Sequence, residues 1–342
     1  MPPTSTPAPP PTVATAAPVA AAPQPTPQLA PSATPRTVLA AEPTLVLPSP
    51  TAVPTAVSPT AAVTAASTPT AAPPTATAPA VVSARNGPIQ LIGRSVKDRR
   101  IEAHVLGSGP IAVAFIGNIH GAWEPRAKEV VETGLEYFRS HPDEVPGATS
   151  LYFVPTVNPD GYEDGRALIA SAPGTGSQAD AELARYAFNA NDVDLNRNFD
   201  ANWRPTACGG ERFRLRFGDV CRAGMAGSKP FSEPETQAYA EFIKNKKIAL
   251  ALTYHEDQSA SISAKEGGGG LGEPLATAVA RLYNYPYLPS WPKYPVTGQA
   301  QDWLDSIGVV GAEIELKYRT PDRNRDIAVM KLGIDWAITH RS

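Results

Sequence analysis

Two histidines and two glutamates stand where side chains of their type could hold and use a metal ion. In IGNIHGAWEP, His120 and Glu124 follow the apolar run IAVAFIGNI (111–119) and precede Pro125, which opens a helix. In ALALTYHED, His255 ends a second apolar run, and in GAEIELKYR Glu315 lies near the end of a third. Runs of this length read as strands buried on both faces. In open α/β sheets, ligands bind outside the carboxyl ends of the strands. Two imidazoles and one carboxylate gathered there would make a three-ligand zinc site with a fourth position open to water. A carboxylate outside the ligand set would then serve as general base on that water. Taken singly, each residue has a plainer reading. A lone histidine after a strand is commonly a hydrogen-bonded structural residue. Glu315 alternates with Glu313, as on a solvated face of an edge strand.

Two further segments bear on the same chemistry. VNPDGY (157–162) is rich in turn formers. VDLNRNFD (193–200) sets Asn196 beside Arg197 after a short strand. A guanidinium fork next to an amide suits a free carboxylate held bidentately, although an arginine in such a place can also serve a structural ion pair.

Taken in order, HGAWE, NPDGY, DLNRNF, the histidine after a strand, YPVTGQAQDW and EIEL resemble the zinc carboxypeptidases of the carboxypeptidase A/T type (peptidase family M14). PFSEPET (230–236) looks like its bacterial members. The resemblance covers about residues 88–338. It implies one zinc ion bound by His120, Glu124 and His255, with Glu315 as general base and proton shuttle. It implies that Asn196 and Arg197 bind the terminal carboxylate of a peptide or a cell-wall stem peptide. Tyr294, nine residues before Trp303, matches the mobile tyrosine that caps substrate, and Gln301 matches the pocket-floor position that sets side-chain preference. A neutral floor leaves that preference open.

The chain departs from the family pattern twice. Three residues, Gly121, Ala122 and Trp123, separate His120 from Glu124, where the animal digestive enzymes have two, so the loop must bulge. Position 187, where many relatives carry an arginine that stabilises the oxyanion, is alanine, and Arg185 is the nearest replacement. Loss of such a donor costs roughly 2.7–4 kcal/mol in other enzymes. A non-catalytic peptide- or wall-binding domain that kept the fold is therefore the alternative to a metallocarboxypeptidase.

Strands alternating with helices predict an α/β sandwich with a largely parallel sheet. The resemblance makes it three-layered, with a mixed central sheet. Two strands joined at Lys97–Arg99 come first, and the last helix covers about Arg325–Thr339. Ser232 and Glu235 fit a capping box ahead of ETQAYAEFIK, and residues 163–190 read mostly as loop.

Composition divides the chain. Residues 1–80 hold 21 of the 38 prolines, no aromatic residue and two charges, Arg36 and Glu42. Such a segment cannot bury enough apolar surface to offset its conformational entropy, and its prolines favour an extended spacer. We therefore expect a disordered Pro/Ala/Thr-rich stalk over residues 1–85 and a catalytic domain over 86–342. A net charge of −3 argues against nucleic acid as a partner. No apolar run is long enough to cross a membrane. The first residues lack the features of a signal peptide, yet stalks of this kind separate exported domains from a surface. An extracellular or cell-surface monomer, with its export signal upstream, is the expectation. A disulfide between Cys208 and Cys221 would suit that compartment, with two free thiols as the alternative.

Overall fold

The computed structural model describes residues 87–172, 178–205, 214–215, 218–219 and 224–340. The proposed stalk and both cysteines lie outside the described residues. In chain order the strands are β1 (Ile89–Arg94), β2 (Arg100–Gly107), β3 (Ile111–Gly117), β4 (Thr149–Val154), β5 (Arg214–Leu215), β6 (Gly218–Asp219), β7 (Ile248–Asp257), β8 (Ser261–Ser263) and β9 (Val310–Lys317). The helices are α1 (Pro125–Ser140), α2 (Pro159–Ile169), α3 (Gln178–Leu183), α4 (Pro234–Asn245), α5 (Glu273–Tyr283), α6 (Ala300–Ser306) and α7 (Arg323–Thr339).

Seven strands form one sheet in the order β1-β2-β4-β3-β7-β9-β8, and β5 and β6 make a separate hairpin. The four central strands, β4, β3, β7 and β9, are parallel. The flanking pairs β1–β2, β2–β4 and β8–β9 are antiparallel. The sheet has the parallel centre that the alternating pattern predicts and the mixed character that the resemblance implies.

Side-chain alternation explains the layers. On β3, Ile111, Val113 and Phe115 join one core with α1, α5 and α7. Ala112, Ala114 and Ile116, on the other face of the same strand, join a second core with α4 and α6. β3 is buried along its whole length because both faces are covered. On β9 the odd-even division matters for function. Ala312, Ile314 and Leu316 enter the first core, so Glu313 and Glu315 lie on the opposite face.

Three sequence expectations are corrected. NPDGY is not a turn: Asn158 caps α2 by accepting from the Gly161 N–H at 2.8 Å, with Pro159 in the first turn. Asn, Pro and Asp favour helix starts as much as turns. The helix then takes up Glu163–Ile169, which read as loop. Ser232 does not cap α4: the N-cap is Glu233, without a side-chain cap bond, and the Ser232 hydroxyl donates to Glu233 instead. Leu195–Arg197 form a 3₁₀ turn capped by Asp194, and the short strand expected before Asn196 is not formed.

Candidate metal centre and substrate cavity

The chain leaves β3 through Asn118, which is buried and holds a positive φ of 57°. Its side-chain amide donates to the carbonyls of Gly121 (2.6 Å) and Glu124 (2.9 Å), and its Oδ1 accepts from Thr156. These bonds wind Gly121–Trp123 into a 3₁₀ turn. Gly121 has φ +49°, and a Cβ there would lie 2.4 Å from the Tyr186 carbonyl oxygen. Only glycine fits this position. The turn is the bulge that three intervening residues require, and it returns Glu124 to His120.

His120 Nδ1 lies 2.7 Å from Glu124 Oε1, and His255 Nδ1 lies 3.2 Å from Glu124 Oε2. The three residues each offer a donor atom, all within 4.8 Å of one another. Glu124 Oε2 and His255 Nδ1 are buried and make no hydrogen bond. Buried polar atoms of this kind are costly unless satisfied, and two imidazole nitrogens with a carboxylate are borderline ligands that suit zinc. The residues fit the ion. Electrostatics agrees. Burial lowers the His255 imidazole, but Glu124 and Glu313 outweigh it and raise it to about 9. Burial opposes ionisation of Glu124, yet the two histidines hold its carboxyl well below the ordinary range. The cluster attracts positive charge.

His120 is oriented from behind. Its Nε2 lies 3.1 Å from Asp194 Oδ1. The same oxygen accepts the Asn196 N–H at 2.9 Å. Burial penalises the Asp194 carboxylate, but Arg197 and His120 more than compensate and hold it at about 2. Sequence reading passed over Asp194, although it lies inside DLNRNF. Carboxylate backing of a ligand imidazole is common at metal sites.

Asn196 and Arg197 are both buried on the 3₁₀ turn. Asn196 Oδ1 accepts from Ala300 N at the start of α6, so its amide nitrogen remains as donor. Arg197 Nη1 donates to the Asn196 carbonyl and Nη2 to the Tyr294 hydroxyl at 3.3 Å. Burial alone would lower the Arg197 guanidinium, but Asp194, Tyr294 and Glu313 raise it, so the charge is secure.

These groups line one cavity of about 440 Å³, which includes His120, Glu124, Arg197, Tyr294, Glu313 and Glu315. Glu315 pairs in register with His255 across β7 and β9. It is half-buried in the cavity wall. This enclosure, reinforced by Glu124 and Glu313 and opposed by His255, pushes its carboxyl well above the ordinary range. Two expected members are absent from the wall. Gln301 is buried behind it, its amide against the Cα of Gly311, and Glu313 lines the wall two residues on. Arg185 is exposed on a 3₁₀ turn outside the cavity, whereas Ala187 lines it. Nothing in this geometry lets Arg185 stand in for an arginine at position 187.

A doubly covered, largely parallel sheet thus carries a His-Glu-His cluster, a candidate metal centre, at its strand ends. The sequence pattern of the family described as zinc carboxypeptidase matches residues 87–264, just over half of the chain. The chain belongs to that family. It is 30% identical over 182 residues to the carboxypeptidase N catalytic chain of Rattus norvegicus, covering 48% of this chain and 36% of that protein. It is also 30% identical over 174 residues to murein peptide amidase A of Escherichia coli K12, covering 46% of this chain and 61% of that protein. The chain thus spans less than two thirds of the length of these curated relatives. Bovine thrombin-activatable fibrinolysis inhibitor, solved with a tick carboxypeptidase inhibitor, shares the fold with a TM-score of 0.55 at 17% identity, covering 74% of this chain and 89% of that one.

Proposed function

We propose that this protein is a zinc-dependent metallocarboxypeptidase that hydrolyses a peptide bond next to a free C-terminal carboxylate. The observation that supports this best is a three-donor cluster, two of whose members line a cavity that also holds a buried arginine and a carboxylate in register with the third. His120, Glu124 and His255 would hold the ion. When bound, zinc supplies Lewis-acid polarisation of the scissile carbonyl and makes a nearby water more acidic. Glu315 takes the proton of the attacking water and passes it to the leaving amine. Its raised affinity for protons suits both halves of that transfer. Arg197 and Asn196 grip the terminal carboxylate, and Tyr294 lies over the Arg197 end of the cavity. Asp194 ties the grip to the metal cluster through a single oxygen. The Pro-rich composition of the first 85 residues supports action at or beyond the cell surface.

Likeness to murein peptide amidase A makes cell-wall stem peptides a substrate class within this reaction. A non-catalytic peptide-binding domain is the second reading, favoured by Ala187 in the cavity wall. The deciding experiment compares turnover of peptides with free and amidated C-termini, before and after chelation and zinc restoration, in wild type and Glu315→Gln. Hydrolysis is expected only with a free terminus and bound zinc. The Gln variant should retain zinc and lose most of kcat, because an amide cannot accept the proton. Binding without turnover in the wild type would favour the second reading.

A further inference from the structure

Glu313 has no task in that reaction, yet it occupies the cavity wall. It shares the site-facing side of β9 with Glu315, two residues away. Its side chain is 10% exposed, and its Oε2 makes no hydrogen bond. Among the described residues, the basic group within 4 Å is His255 Nε2, at 3.6 Å. That is too long for a hydrogen bond, and unlike the 3.1 Å contact that Asp194 makes with His120. Next along the strand is Gly311, covered by the Gln301 amide, whose Oε1 is also buried without a partner. Glu266 lines the same cavity. Glu266 accepts from the Trp291 N–H at 3.0 Å, so the unmet acceptor in the cavity wall is Glu313 Oε2, with only the more distant charges of His255 and Arg197 to balance it. A carboxylate enclosed in this way calls for a charged donor.

Resting on the peptidase reading above, we infer that Glu313 receives the cationic end of the substrate's C-terminal side chain, an ammonium or a guanidinium. Arg197 fixes the terminal carboxylate, and the metal cluster with Glu315 fixes the scissile bond. Glu313 lies roughly 6.5 Å along β9 from Glu315, at the rise of a strand. The flexible four-carbon stem of a lysine can cover that span. The neutral Gln301 behind the wall leaves the choice of side chain to Glu313.

The test uses the zinc-loaded full chain and matched peptides ending in lysine, arginine, norleucine or glutamate. Norleucine has the lysine stem without its charge. Wild type should favour lysine or arginine over norleucine in kcat/KM by about tenfold or more, the size of one charged hydrogen bond. Glutamate should be the poorest. In Glu313→Gln the lysine-to-norleucine ratio should collapse toward one, with zinc content unchanged. Equal or better cleavage of norleucine by wild type overturns the proposal, and so does an undiminished ratio in the variant. Loss of zinc from the variant also overturns it, because Glu313 would then act through His255. If no peptide turns over, the peptidase reading fails separately, and the selector is judged by calorimetry. Tighter binding of N-acetyl-lysine than N-acetyl-norleucine, lost in Glu313→Gln, upholds it, and equal binding overturns it.

Discussion

His255 and Glu315 face each other across the parallel pair β7–β9, in direct register. A candidate metal ligand and a candidate proton carrier are thus fixed by the sheet itself. A one-residue slip of β9 would turn Glu313 and Glu315 into the apolar core beneath α5 and α7. Burial of Ala312, Ile314 and Leu316 on that opposite face forbids the slip. Packing of the core and assembly of the site are one constraint.

The most direct consequence concerns Asp194. Its Oδ1 meets both His120 Nε2 and the Asn196 N–H. Asp194→Asn preserves the shape but removes the charge that steadies the imidazole. Zinc affinity, measured by competition with a chromogenic chelator, should fall about 10–100-fold. KM should change little, since the asparagine oxygen can still accept the Asn196 N–H and cap the turn that bears Arg197. An unchanged zinc affinity would show that Asp194 only caps the turn.

Much of this site was legible before any coordinates, because strand ends and paired motifs leave strong marks in sequence. His120, Glu124 and His255 lie together at the ends of their strands, and Asn196 and Arg197 line the cavity beside His120 and Glu124, the grouping that the resemblance implies. The misses have physical causes. Asp194 and Glu313 act through what they face, and sequence does not give facing. Glu313 read as a solvated alternate of an edge strand. In the fold β8 covers that edge, pairing Ser263 with Glu313, and the face closes over a cavity. β8 itself is three residues long, too short for any periodicity. Gln301 lies one layer too deep because Gly311 has no side chain to keep it out.

Gly121 allows the three-residue insertion between His120 and Glu124. Gly121→Ala would strain a positive φ and press a methyl against the Tyr186 carbonyl and Gly161. Strain of this kind costs about 1–3 kcal/mol. The melting temperature should fall, and zinc should bind more weakly because Glu124 is displaced relative to His120. Calorimetry with and without zinc separates the two effects. A variant with wild-type stability and zinc affinity would mean that the turn has room to adapt.

The Pro-rich segment should contribute nothing to the stability of the domain. Its composition offers no large apolar side chain to pack. A protein lacking residues 1–85 should melt at the same temperature and cleave the same peptides with the same kcat/KM. A marked drop in either would show that the segment packs on the domain.

Two arginines should behave oppositely. Arg197 is buried in the cavity, firmly charged, and bonded to the Asn196 carbonyl and the Tyr294 hydroxyl. Arg197→Ala removes the charged fork that would hold a terminal carboxylate. KM for free-terminus peptides should rise about 10–100-fold, the worth of a charge-assisted contact. Amidated peptides, already poor substrates, should change little, which separates loss of the grip from general damage. Arg185 is exposed outside the cavity, so Arg185→Ala should leave both kcat and KM at wild-type values. A selective fall in kcat for Arg185→Ala would show that its turn swings inward when substrate binds, replacing the arginine that Ala187 lacks. Unchanged kinetics would leave stabilisation of the developing oxyanion to the metal centre, and inserting arginine at position 187 should then raise kcat.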